Sequence, residues 1–176
     1  RLAGRSWRDQ VEVAVGDVLD PATLPTAMED VDAAYYLIHS MRRHADFGER
    51  DLRAARNFAG AAADQGVGRI IYLGGLGDAD AGLSEHLRSR QETGAALREA
   101  GVPVTEFRAS ILVGAGSVSF EMIRNLTERL PVMICPHWVY TRTQPIAVDD
   151  ALSYLTAALE TPESTGKIIQ IGGSNV

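Results

Sequence analysis

Three stretches of this sequence are apolar on both of their alternating faces: Asp32–Ile38, Arg69–Leu73 and a run within Val104–Val113. A strand with one polar face can leave that face in water. A strand apolar on both faces has to be covered twice, which is the condition of strands in a parallel sheet. Between the runs lie segments of helical period. One starts at Asp46, where Glu49 three residues on completes a capping box, and carries Leu52, Ala55, Phe58, Ala59 and Ala62 on one stripe up to a stop at Gly66. Another runs from about Ser84 to Ala100 and stops at Gly101. Connections of that length are crossovers, so the predicted class is α/β, a parallel sheet with helices on both faces.

The remaining elements fit the same scheme. Val11–Val15 alternates and predicts a strand. Asp20 and Pro21 predict the start of a helix to about Asp30, with aspartate as cap and proline at the first helical position. After Val113 come a helix near Phe120–Leu130, a proline-bounded segment Pro131–Pro136 and an extended piece near Gln144–Ala147. Asp149 or Asp150 is expected to open a helix to about Glu160, and Lys167–Ile171 to form a last strand. The shorter elements of the second half predict a small C-terminal substrate lobe at 114–147, built onto a single domain covering residues 1–176.

Composition narrows the function classes. A net charge of −6 argues against nucleic acid as a partner, because phosphate binding needs a basic face and Met41-Arg42-Arg43-His44 is too short to make one. The single cysteine, Cys135, excludes an internal disulfide framework and makes a reducing, cytoplasmic compartment the default expectation. No run reaches the roughly 18 apolar residues of a membrane span. The histidines His39, His44, His86 and His137 are scattered without ligand spacing, so no metal site is expected. No G-x-S-x-G elbow is present for a serine hydrolase.

A glycine-rich phosphate turn is also missing before Val11. Gly114-Ala115-Gly116-Ser117-Val118-Ser119 imitates one but lacks its third glycine and the acidic residue about 20 positions on. It reads as a loop entering a helix, whose N-terminus could still hold a phosphate group.

Several ordered pieces carry a family resemblance: Val15-Gly16-Asp17-Val18, Ala34–Ser40, Arg69–Gly77 (RIIYLGGLG), Leu83–Glu92, Phe107–Gly114 (FRASILVG) and Gln144–Asp150 (QPIAVDD). As an ordered set these resemble the atypical, extended-like short-chain dehydrogenase/reductases, and within them the NmrA-like and epimerase-like NAD(P)-binding proteins. The resemblance runs from about Val11 to Gly173. It implies a Rossmann-like sheet whose first βαβ unit, with its glycine turn, would precede Arg1, and a chain that would continue past Val176. It also implies a bound NAD or NADP and an unidentified small-molecule substrate, with a homodimer left open.

The resemblance further assigns residues. Asp17 would hydrogen-bond the adenine with Val18 beside the ring; a turn role is the alternative. Leu37, Ile38 and His39 would line the cofactor crevice, although the first two also read as core and His39 as a histidine satisfied by backbone. Gly74 and Gly75 would let the nicotinamide or substrate approach the backbone. Active family members carry a serine near position 75, which helps polarise the substrate carbonyl, and here there is none. Ala109 and Ser110, following Arg108, would sit beside the nicotinamide, with loop capping the alternative for Ser110. His86 and Arg90 stand where those members place a tyrosine and a lysine. At i and i+4 they share a helix face, with His86 as candidate proton carrier and Arg90 as a permanent charge. Arg88 and Glu92 beside them also fit a solvated face. Trp138, Tyr140, Arg142 and Gln144 are candidates for the lobe. The expected function is an NAD(P)-binding protein and oxidoreductase of unassigned substrate. Its alternatives are a non-catalytic NAD(P)-binding regulator or redox sensor and, more weakly, a nucleotide-sugar epimerase, which would need the absent tyrosine and lysine.

Overall fold

A computed structural model describes residues 6–39, 47–77, 83–114, 117–130, 132 and 143–173. Its centre is a four-stranded sheet of β1 (Ala33–Tyr36), β2 (Arg69–Gly75), β3 (Val104–Ala109) and a last strand (Ile168–Ile171), in that spatial order and parallel throughout. Two short strands, β4 (Leu112–Val113) and β5 (Ile146–Ala147), form a separate parallel pair, so the last strand of the main sheet is β6. The helices are α1 (Pro25–Met28), α2 (Phe47–Asp64), α3 (Glu85–Arg98), α4 (Val118–Arg129) and α5 (Val148–Glu160).

The period-two side-chain alternation of the strands builds two cores. Tyr36, Ile70, Tyr72 and Val104 face α2 and α3, where Ala55, Ala59, Ala62 and Leu97 are sealed from solvent. Ile71, Phe107, Ala109 and Ile171 face the other way, onto Ala151, Leu155 and Ala158 of α5. The alanine stripe of α2 lets that helix lie close to the sheet, and Leu52 and Phe58 fill its margins. Each fully buried isoleucine or leucine contributes on the order of 1.5–3 kcal/mol. Arg69 at the start of β2 fastens α5 to the sheet. Its guanidinium donates to the carbonyls of Ala158 and Leu159 at 2.6 and 3.1 Å and to Thr165 Oγ1 at 3.2 Å. These are orphan groups at a helix C-terminus, where a cation also opposes the dipole. The Tyr35 hydroxyl adds a bond to the Leu155 carbonyl at 2.8 Å.

Four local expectations are corrected. Val11–Val15 is extended but pairs with no strand of the sheet, and Val15 is 92% exposed. A strand exists only through a neighbour's ladder, and β1 is hydrogen-bonded solely to β2. Among the described residues β1 is therefore an edge strand, and Leu37 and Ile38 beyond its end are about half exposed rather than core. The helix expected over 20–30 begins as foreseen, with Asp20 Oδ1 accepting from the Ala22 N–H, but Pro25 lacks an N–H and divides it into a 3-10 turn and α1. Asp149 and Asp150 lie inside the first turn of α5, next to an Ala147 cap position, so they favour the helix dipole without capping it. Asp46, Cys135, His44, His137, Trp138, Tyr140 and Arg142 lie outside the described residues, as does most of Pro131–Pro136.

Candidate functional site

In an open parallel sheet the carboxyl ends of the strands mark the crevice. β1 runs out into Leu37, Ile38 and His39, β2 ends at Gly75, and β3 ends at Ala109 with Ser110 next. Helix α3 starts over these tips. The Ser84 hydroxyl accepts from the Leu87 N–H at 3.3 Å, which fixes the first turn and sets the direction of His86 and Arg90.

Arg90 is tied to β2 twice. Its guanidinium donates to the Leu73 carbonyl and lies 5.6 Å from the centroid of the Tyr72 ring, and the Tyr72 hydroxyl donates to the Arg90 carbonyl at 2.9 Å. Burial pushes the Tyr72 hydroxyl up to about 12, against the pull of Arg90. His39 is pushed below its ordinary value by burial and then by the charges of Arg90 and His86, with Asp51 opposing them. The charges that act on His39 thus come from α2 and α3, although its side chain stays exposed to solvent. His86 is also exposed, one helical turn before Arg90 on α3.

The two glycines at the end of β2 differ. A Cβ on Gly75 would come within 2.7 Å of Leu87 Cδ2 and 3.6 Å of the Arg90 Cβ, so α3 covers that position closely. A Cβ on Gly74 would lie 3.0 Å from Glu106 Oε1, so its side-chain direction is already filled. Ser110 is held by Thr143, a partner that no local pattern signals, at 2.5 Å between hydroxyl oxygens. The Leu76 N–H donates to the Ala109 carbonyl at 2.8 Å and locks the tips of β2 and β3 together.

Asp17 and Val18 stand apart in their bonding. Asp17 Oδ1 accepts from the Leu19 N–H at 2.9 Å, a turn role, and the Asp17 N–H donates to Thr23 Oγ1 at 2.8 Å. The Val18 carbonyl accepts from Asn57 of α2 at 2.9 Å. Their hydrogen bonds run to this corner and not to the other tips. The glycine loop at Gly114 leads into α4, with Ser117 Oγ accepting from the Phe120 N–H, as a plain helix entry should.

Sequence reasoning missed the carboxylate beneath the crevice. Glu106, in the middle of β3, is fully buried between Arg98 Nη2 and Arg108 Nε, each at 2.6 Å. A Cβ on Gly94 would fall 2.5 Å from Glu106 Oε2, so α3 passes the strand at a glycine. An acid within a buried-strand run, between Thr105 and Phe107 and with Arg108 two positions on, was the available signal. A cavity of about 430 Å³ opens elsewhere, between α5 and the end of β6, lined by Pro145, Ile146, Asp150, Tyr154, Gly172 and Gly173. None of the residues predicted to bind cofactor or to carry catalysis lines it. Among the described residues no cluster of metal-ligating side chains occurs and no helix is long and apolar enough to cross a membrane.

A family model described as NAD(P)H-binding matches residues 2–118. No curated protein sequence matches the chain. Among solved structures, a nucleoside-diphosphate-sugar epimerase from Staphylococcus aureus is 22% identical with a TM-score of 0.77, over 97% of this chain and 58% of that one. The triphenylmethane reductase of Citrobacter sp., complexed with NADP(H), is 22% identical with a TM-score of 0.72, over 95% and 56%. The Bordetella bronchiseptica enzyme WbmG, in complex with NAD and UDP, is 17% identical with a TM-score of 0.72, over 92% and 58%. These likenesses show the fold, and the chain spans under two thirds of the length of each.

Proposed function

This chain belongs to the NAD(P)H-binding family, and from that premise we propose that it is the greater part of an oxidoreductase domain whose nicotinamide site lies over the tips of β1, β2 and β3. The observation that carries the reading is the place of Arg90 over the end of β2, its guanidinium on the Leu73 carbonyl and its Cβ 3.6 Å from where a Cβ on Gly75 would lie. At the nicotinamide end Leu37, Ile38 and Ser110 keep exposed surface and would line the group, with Gly75 and Ala109 buried beneath them at the strand ends. At the far end Asp17 and Val18 would take the adenine, with one Asp17 oxygen already in a turn. When bound, the cofactor supplies the hydride. Arg90, anchored on the Leu73 carbonyl, would hold a fixed positive charge toward the bound cofactor, and His39, kept below its ordinary value, would offer it a hydrogen bond. His86 is the proton carrier of this scheme, reaching the site from solvent.

The test is titration of the protein with NADH and NADPH, followed by nicotinamide fluorescence. Saturable binding is expected, weakened by Arg90→Ala and His39→Ala. Absence of binding to either nucleotide overturns the reading. A second reading, a non-catalytic sensor of nicotinamide redox state, is favoured by one feature: α3 closes over Gly75, where the family's catalytic serine would stand. The sensor predicts binding with no change of nicotinamide absorbance across carbonyls and quinones, whereas the oxidoreductase predicts turnover lost in His86→Ala.

A further inference from the structure

Ser110 and Thr143 come from separate elements. Ser110 follows β3, one residue past Ala109, the register partner of Gly75. Thr143 precedes β5, and the Ile146 N–H bond to the Ile111 carbonyl at 3.0 Å keeps the two segments side by side. Their hydroxyl oxygens are 2.5 Å apart and both residues are half-buried. Two hydroxyls carry two protons, and the bond between them uses one. Neither hydroxyl has another partner among the described residues, so the pair keeps one O–H to give, and donation within the pair strengthens it. This donor stands one strand over from Gly75, the position that lacks a hydroxyl.

We propose that the Ser110–Thr143 pair is the hydrogen-bonding point for the substrate's oxygen, set against β3. The proposal rests on the nicotinamide-site reading above. Thr143 is then a substrate-binding residue, and the β4–β5 pair fixes the distance between substrate and the β2 tip. A ligand without an acceptor at that point forgoes this bond and binds more weakly.

The experiment uses the protein saturated with NADP⁺ or NAD⁺, whichever binds, and menadione and benzaldehyde as probes. Calorimetry measures cofactor and probe affinities separately. Thr143→Val is isosteric and removes one hydroxyl. Its probe affinity is expected to fall about tenfold, the worth of one hydrogen bond, with cofactor affinity near wild type and with recovery in Thr143→Ser. Ser110→Ala is expected to weaken the probes equally, and Thr143→Val decides the matter if Ser110→Ala does not fold. Unchanged probe affinity in Thr143→Val overturns the proposal, and so does failure of both probes to bind the cofactor-loaded protein. A parallel fall in melting temperature, cofactor affinity and probe affinity also overturns it, because the pair is then structural. Failure of the wild-type protein to bind either nucleotide overturns the underlying reading instead.

Discussion

Replacing Glu106 by glutamine tests how the crevice floor is held. The change keeps the shape of the side chain but removes its charge and turns an amide N–H₂ toward one of two arginines. The carboxylate is fully buried, and each of its oxygens accepts a guanidinium N–H at 2.6 Å. Removing one partner from a buried ionic cluster costs about 3–5 kcal/mol. The side chains of Arg98 and Arg108 keep 32% and 18% of their exposure and can rehydrate in part, which favours the lower end of that range. About 3 kcal/mol is therefore expected, a large share of the roughly 5–15 kcal/mol of a whole domain. Urea unfolding followed by circular dichroism measures it, with equal slopes required for the comparison. Arg98→Met should cost less, about 1–2 kcal/mol, because Arg108 still holds one oxygen. A Glu106→Gln protein within about 0.5 kcal/mol of the parent, the range of ordinary surface changes, refutes this account of the cluster.

Three further outcomes are expected. Gly94→Ala should destabilise by about 1–3 kcal/mol in the same assay, because its Cβ meets Glu106 Oε2 at 2.5 Å, although alanine is the better helix former. Arg69→Met should cost about 1.5–3 kcal/mol by uncapping α5, and hydrogen exchange in the last turn of that helix should rise. His39 is lowered from 6.5 in the folded protein, so the unfolded chain binds its proton first. Its share of the stability is whole above pH 6.5 and is lost as pH falls through that window toward the folded value, and His39→Gln should flatten the slope of stability against pH there.

The sheet was legible because β2 is apolar on both faces and β3 is a buried run between two helical segments, and the helices because α2 carries its alanine stripe and α3 its serine cap. Those signals are local and survive without a neighbour. The failure at Val11–Val15 has the opposite origin: alternation describes a willing strand, but pairing is decided by what lies beside it. At the site, His39, His86 and Arg90 were legible as strand-end and i,i+4 residues, and the closeness of α3 to the end of β2 was not. Nor was the use of the Arg90 guanidinium on the Leu73 carbonyl, which depends on how far α3 leans over β2. Thr143 was invisible for a similar reason. A threonine in a segment of irregular backbone acquires meaning only when the chain returns to put it beside Ser110.

The register of the main sheet has a kinetic consequence. Tyr36 lies opposite Tyr72, Gly75 opposite Ala109, and Ala109 opposite Ile171. Every ladder of this sheet is parallel, so none can zip from a hairpin, and each strand has to wait for a crossover to close. Refolding should be slow for a domain of this size. During synthesis β3 stays without its outer neighbour until β6 has left the ribosome, a period in which that half-built edge invites association with other chains.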